Sequence, residues 1–138
     1  MNDNAKVLYT GKTSTRGGRQ GSARSDDGHL DIALSPPGAG GPGTNPEQLF
    51  AAGWSACFIG ALGHAARAKE VRLPPETAVD AEVDLCHGQE GYFLRARLHI
   101  HLPGLPADIA QVLVDIAHQT CPYSKASRGN VATTLTIA

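Results

Sequence analysis

The chain has 138 residues, with 12 Lys plus Arg against 13 Asp plus Glu and a formal net charge of −1. At 41% apolar and 18% charged it is not a disordered chain, and balanced charge with three Phe, three Tyr and one Trp offers nucleic acid neither a basic footprint nor a stacking platform. The length suits one domain, residues 1–138, and 16 Gly with 9 Pro favour many turns over a helical bundle.

In chain order, Met1-Asn2-Asp3-Asn4-Ala5-Lys6 lacks the apolar stretch of a secretory signal, so a cytoplasmic setting is expected. Residues 6–14 alternate around Val7 and Tyr9 and predict a strand, which Gly17-Gly18 interrupts. Residues 19–25 predict a second short strand, Asp26-Asp27-Gly28 a hairpin turn, and Leu30, Ile32 and Leu34 a third strand. Residues 36–43 form a Gly/Pro loop. Thr44 or Asn45 then caps a helix that has Pro46 at its first position and Glu47 in its first turn.

That helix carries no charge from Leu49 to Ala66. Its length raises the question of a membrane span, but Gly53, Ser55, Gly60, Gly63 and His64 and the lack of flanking anchors argue against one. A helix apolar all round belongs in an interior, covered by sheet and by a partner chain. Beyond Pro74-Pro75 the period returns to two. Val79, Ala81, Val83 and Leu85 oppose Asp80, Glu82 and Asp84; after a turn at residues 87–91, Leu94, Ala96, Leu98, Ile100 and Leu102 oppose Arg95, Arg97, His99 and His101. Ile109, Val112, Leu113, Ile116 and Ala117 predict a helix ending at Cys121-Pro122, and residues 131–138 a final strand. The order β-β-β-α-β-β-α-β defines an α+β fold with mainly antiparallel pairing.

Three widely spaced cysteines, Cys57, Cys86 and Cys121, are no disulfide framework; in a reducing compartment such thiols are inert, metal-bound or catalytic. On the long helix Phe50, Trp54, Ala61 and His64 share a face with Cys57, so its thiol is either a small core group or the floor of an apolar pocket. Cys121, at a helix C-terminus, is a poor first nucleophile but a reasonable resolving partner. Cys86 falls on the polar face of its strand. Arg19, among Gly17, Gly18 and Gly21, is a candidate to lower a thiol pKa, and Glu47 a candidate to hold its guanidinium. Their bland alternatives are a solvated turn arginine and a helix-start acid.

Glu47 and Cys57 are ten residues apart, about 15 Å along one helix. Either Arg19 bridges them at full stretch or the groups come from two chains, and a homodimer with sites at its interface is expected. A metal centre built from Cys57, His64, Cys86, Cys121 and His118 is disfavoured, because no Cys-x-x-Cys or His-x-x-x-His pair exists. His64 and His118 are expected as hydrogen-bonded core or interface residues, and His87, His99 and His101 as solvent-facing.

The run from Gly43 through Asn45-Pro46-Glu47-Gln48 and Trp54-Ser55-Ala56-Cys57 to Leu62, the run Cys121-Pro122-Tyr123-Ser124 to Asn130, and Gly17-Gly18-Arg19 together resemble the organic hydroperoxide resistance (Ohr) proteins of the Ohr/OsmC superfamily. The likeness covers essentially the whole chain. It implies an intertwined dimer with long central helices packed against antiparallel sheet. It also implies a thiol peroxidase that reduces organic hydroperoxides, fatty-acid hydroperoxides included, to alcohols. By that resemblance Cys57 is the peroxidatic cysteine, Cys121 the resolving one, and Arg19 and Glu47 the activating ion pair. Phe50 and Trp54 would favour bulky alkyl or aryl peroxides. No bound cofactor is implied; the expected reductant is a lipoyl-type dithiol, dihydrolipoamide or a lipoylated protein. Trp54 stands where Tyr is more usual, and Cys86 is extra. The alternatives are an OsmC-type peroxidase of broader range and a non-catalytic redox sensor on the same fold, which turnover separates.

Overall fold

The computed structural model describes residues 4–138, in two compact units, one up to Pro46 and one from Glu47 onward. The first unit is a three-stranded antiparallel sheet of β1 (Thr13–Arg16), β2 (Ser22–Ser25) and β3 (Asp31–Ala33) in the order β1-β2-β3. The predicted hairpin forms. Gly28 takes φ 77°, and the Asp27 carboxylate accepts from the Ser25 hydroxyl at 2.6 Å and the His29 N–H at 3.0 Å.

Two predicted strands here are corrected. Val7 and Tyr9 lie exposed outside the ladder, which starts only at Thr13. Residues 18–20 of the predicted second strand form a 3-10 turn instead, because Gly17 and Gly18 adopt φ of 76° and 58° and reverse the chain. Gly21 is obligatory there, since a Cβ would stand 1.7 Å from the Arg16 carbonyl oxygen.

The second unit holds α1 (Pro46–Ala68) from its second residue onward, β4 (Ala78–Gly88), β5 (Gly91–His101), α2 (Ala107–Thr120), α3 (Pro122–Ser127) and β6 (Ala132–Ile137). Strands β4 and β5 pair antiparallel from Ala78↔His101 to Gly88↔Gly91. Strand β6 pairs with β5 in parallel, Arg95 opposite Ala132 and Ile100 opposite Ile137. The helical crossover of α2 and α3 carries the chain back to the start of β5, so β6 runs in β5's direction. Helix α3 was not predicted: Pro122 ends α2, but it also suits the first position of a new helix.

Period-two alternation gives this sheet two unlike faces. Leu98, Ile100 and Ala96 are buried against Trp54, Phe58, Leu62 and Ala65 of α1 and Leu113, Val114 and Ala117 of α2. On the other face Arg97 makes a two-pronged pair with Asp84, both bonds 2.8 Å, and His99 and His101 donate to Glu82 at 2.8 Å and Asp80 at 2.9 Å. The Arg97 guanidinium holds the Asp84 carboxyl below its ordinary value, and His99 does the same for Glu82.

Candidate active site

Cys57 sits in the middle of α1, and Cys121 is the residue between α2 and α3. The Cys121 N–H donates to the Ala117 carbonyl at 2.8 Å, closing α2, while its own carbonyl accepts from Lys125 N–H at 2.9 Å, opening α3. The setting read from the sequence, a helix C-terminus alone, is therefore only half of it. The extended Cys121 backbone, with φ −61° and ψ 123°, turns the side chain into the core, where it is fully buried. The two sulfurs, 64 residues apart in sequence, stand 3.3 Å apart.

Four side chains, Phe50, Trp54, Tyr123 and Ser124, fix this geometry, with Gly53 making room for them. The buried Trp54 indole donates to the Ser124 hydroxyl at 3.1 Å, tying the α1 turn before Cys57 to the α3 turn after Cys121. Phe50 stacks on Trp54 with ring centroids 5.5 Å apart and touches Tyr123 at 6.0 Å. Gly53 lets Tyr123 approach, since a Cβ there would stand 2.7 Å from the phenolic oxygen.

Cys57 is partly exposed. Burial pushes its thiol above the ordinary value; the Tyr123 backbone N–H works against that, and the adjacent Cys121 sulfur adds to it. Beside Cys57 opens a cavity of about 560 Å³, walled by α1 from Cys57 to Ala68 and by Ile116, Thr120 and Pro122. Phe50 and Trp54 are not among its walls; small residues are, Gly60, Ala61 and Ala65.

Arg19 lies exposed on the 3-10 turn of the first unit and Glu47 half-buried in the first turn of α1, each with an interaction partner. Cys86 is paired across the ladder with Phe93. His64 is hydrogen-bonded, as expected, but exposed: its Nδ1 accepts from Arg67 at 3.0 Å. His118 departs from expectation further, since its buried Nδ1 has no partner. Among the described residues no three His, Cys, Asp or Glu side chains cluster as a metal site.

An α+β fold with a cysteine pair bridging its long helix and a helix break defines a two-thiol protein of the OsmC-like class, whose family model matches residues 38–136. The chain belongs to this family, and its relatives place it among the organic hydroperoxide resistance proteins. It is 50% identical over 137 residues to the organic hydroperoxide resistance protein of Xanthomonas axonopodis pv. citri, covering 96% of each chain. To the organic hydroperoxide resistance protein OhrB of Bacillus subtilis it is 45% identical over 130 residues, covering 91% of this chain and 94% of the relative. The solved structure of that OhrB superimposes with a TM-score of 0.90, covering 96% of this chain and all (100%) of the other at 42% identity. A Legionella pneumophila organic hydroperoxide resistance protein does so with a TM-score of 0.90 at 42% identity, covering 96% and 99%.

Proposed function

We propose that the protein is a cysteine peroxidase that reduces organic hydroperoxides to alcohols. The observation that carries this reading is the 3.3 Å separation of a partly open and a buried sulfur beside an apolar cavity. The Cys57 thiolate attacks the distal peroxide oxygen; the O–O bond breaks, the alkoxide leaves and takes up a proton, and Cys57 becomes a sulfenic acid. The Cys121 thiol then displaces water from that sulfenic acid, forming the Cys57–Cys121 disulfide and preventing further oxidation. The sulfurs need to approach by only roughly 1.3 Å to reach bonding distance.

Because burial raises the Cys57 pKa, attack at neutral pH needs a cation to favour the thiolate, and Arg19 steadied by Glu47 takes that role. The working form is a homodimer in the cytoplasm, without a bound cofactor, and a lipoyl-type dithiol, dihydrolipoamide or a lipoylated protein, returns the disulfide to two thiols. The apolar cavity favours alkyl and aryl peroxides over hydrogen peroxide; equal kcat/KM on hydrogen peroxide and cumene hydroperoxide would refute that preference.

The test is non-reducing mass spectrometry after one equivalent of cumene hydroperoxide. A 57–121 bridge is expected in the native chain, and a sulfenic or sulfinic acid on Cys57 in Cys121→Ser. Bridging through Cys86, or no turnover loss in Cys57→Ser with dihydrolipoamide supplied, would overturn the reading.

A further inference from the structure

The break between α2 and α3 leaves one backbone group without its helical partner. In an unbroken helix the His118 carbonyl accepts from the N–H four residues on, but that residue is Pro122, which has none. The nearer Cys121 N–H already donates to the Ala117 carbonyl at 2.8 Å. The guanidinium of Arg128 donates to the His118 carbonyl in place of the missing N–H.

That bond spans α3 from end to end. Cys121 and Arg128 flank the six-residue helix with extended backbones, φ −61° and ψ 123° at the first, φ −60° and ψ 128° at the second. Beyond Arg128, Gly129 takes φ 86°, and the Asn130 and Val131 N–H groups donate back to the Ser127 carbonyl at 2.9 and 2.8 Å. Six residues are too few for a helix to hold by itself. The Trp54 bond to Ser124 fixes α3 on its buried side. On its open side the Arg128 bond fastens its far end to the last turn of α2. A cation there also meets the negative end of the α2 dipole, and the same charge helps to lower the His118 pKa, after burial.

We propose that Arg128 is a positioning residue for the bridging step: by satisfying the His118 carbonyl it holds the helix break that aims the Cys121 sulfur at Cys57. This rests on the peroxidase reading above and concerns its second half. Once a hydroperoxide has turned Cys57 into a sulfenic acid, two reactions compete for it. The Cys121 thiol displaces water and closes the disulfide, at a rate independent of peroxide. A second hydroperoxide instead transfers an oxygen, leaving as its alcohol and making a sulfinic acid, at a rate that rises with peroxide. A break held with the sulfurs 3.3 Å apart favours the first. Arg128 acts through the α2 backbone, so the initial attack by Cys57 does not depend on it.

The experiment mixes the reduced chain rapidly with cumene hydroperoxide, quenches with dimedone and an alkylating agent, and resolves thiol, sulfenic acid, disulfide and sulfinic acid by mass spectrometry. Arg128→Met, which keeps the aliphatic stem and removes the donors, should lose its Cys57 thiol within about twofold of the native rate. Its bridging should be slower by roughly tenfold, the scale of one hydrogen bond to a charged group. The peroxide concentration that sends half of Cys57 to sulfinic acid should fall by the same factor. Arg128→Lys, still a donor, should lie between the two. Lys125→Met removes a cation from the same helix but not the one on His118, and should match the native chain in both rates.

Native bridging and a native sulfinic threshold in Arg128→Met would overturn the assignment. So would equal slowing of both steps, which is what a general loss of structure produces. If Arg128→Met does not fold, Arg128→Lys decides, and a native threshold there overturns the assignment. In each of these cases a 57–121 bridge in the native chain leaves the peroxidase reading standing. A native chain that consumes its Cys57 thiol without forming that bridge would strike the peroxidase reading itself, and the role of Arg128 with it.

Discussion

Helices α1 and α2 lie on the same sheet but answer to different rules. In α2 the buried residues Ala110, Leu113, Val114 and Ala117 form one stripe, and Gln111, Asp115 and Gln119 face water. Apart from the exposed Val112, its pattern is explained by the fold of a single chain. In α1 the buried stripe of Trp54, Phe58, Ala61, Leu62, Ala65 and Ala66 accounts for only part of an apolar surface, because Ala52, Ala56 and Gly60 are apolar or bare and exposed. Where a helix is more apolar than its own chain requires, the excess points to a second surface. Here that surface is the proposed contact with a second copy.

The comparison can be broken at several points. The largest effect is expected at the shared core: Phe58→Ala should cost about 3–5 kcal/mol in denaturant unfolding, and Leu113→Ala on α2 about 2–5 kcal/mol. Equal, small losses at both would mean that the stripes do not carry the core. Next is Trp54→Phe, which keeps the ring stack but strips the buried Ser124 hydroxyl of its partner; a loss of about 1–3 kcal/mol is expected. Slower bridging of the two cysteines should accompany it, measured by thiol trapping after one peroxide equivalent.

Ala56→Glu should leave the unfolding free energy of the single chain within about 0.5 kcal/mol and convert a two-chain mass in sedimentation equilibrium to one. A two-chain mass that survives this substitution would separate the exposed stripe from self-association.

The smallest effect is a pH dependence carried by α2. Burial, and then the Arg128 charge, lower the His118 pKa, with Asp115 partly opposing them. The unfolded chain therefore binds this proton more readily than the folded one. Its contribution is complete above the ordinary histidine value of about 6.5 and is lost as pH falls below it toward the depressed folded value. Replacing His118 by Gln should flatten that limb of the stability–pH curve, read by urea midpoints.

Strong periodicity made β4, β5 and α2 legible in the sequence, because burial against a common core imposes it, whereas α1 showed itself through its capped start at Pro46 and Glu47 and the uncharged run that follows. Alternation cannot report strand direction, so the parallel pairing of β6 depended on a crossover seen only in three dimensions. Helix α3 was hidden because Pro122 is both a stop for one helix and a start for the next. The first unit misled for a different reason: Thr13–Arg16 is exposed along its whole length and carries no alternation, whereas Val7 and Tyr9 alternate without joining the ladder. In the site, helical spacing placed Phe50 and Trp54 near Cys57, but not their roles as a buttress behind the cysteine pair. The closeness of residues 57 and 121 was implied by family resemblance rather than by any local pattern. The Arg67 contact to His64 had a readable signal, an i, i+3 spacing of donor and acceptor on one helix face, which the long apolar run around it obscured.

The unequal burial of the two sulfurs also decides how a bridged form would be opened. An incoming thiolate must reach a sulfur along the S–S axis, and only the one at position 57 has open surface, the other being sealed by the core. The transient adduct with a reductant would form on the helix sulfur, and the interior one would depart. Regeneration would then begin at the same atom that meets the peroxide, so that oxidant and reductant take turns at a single doorway.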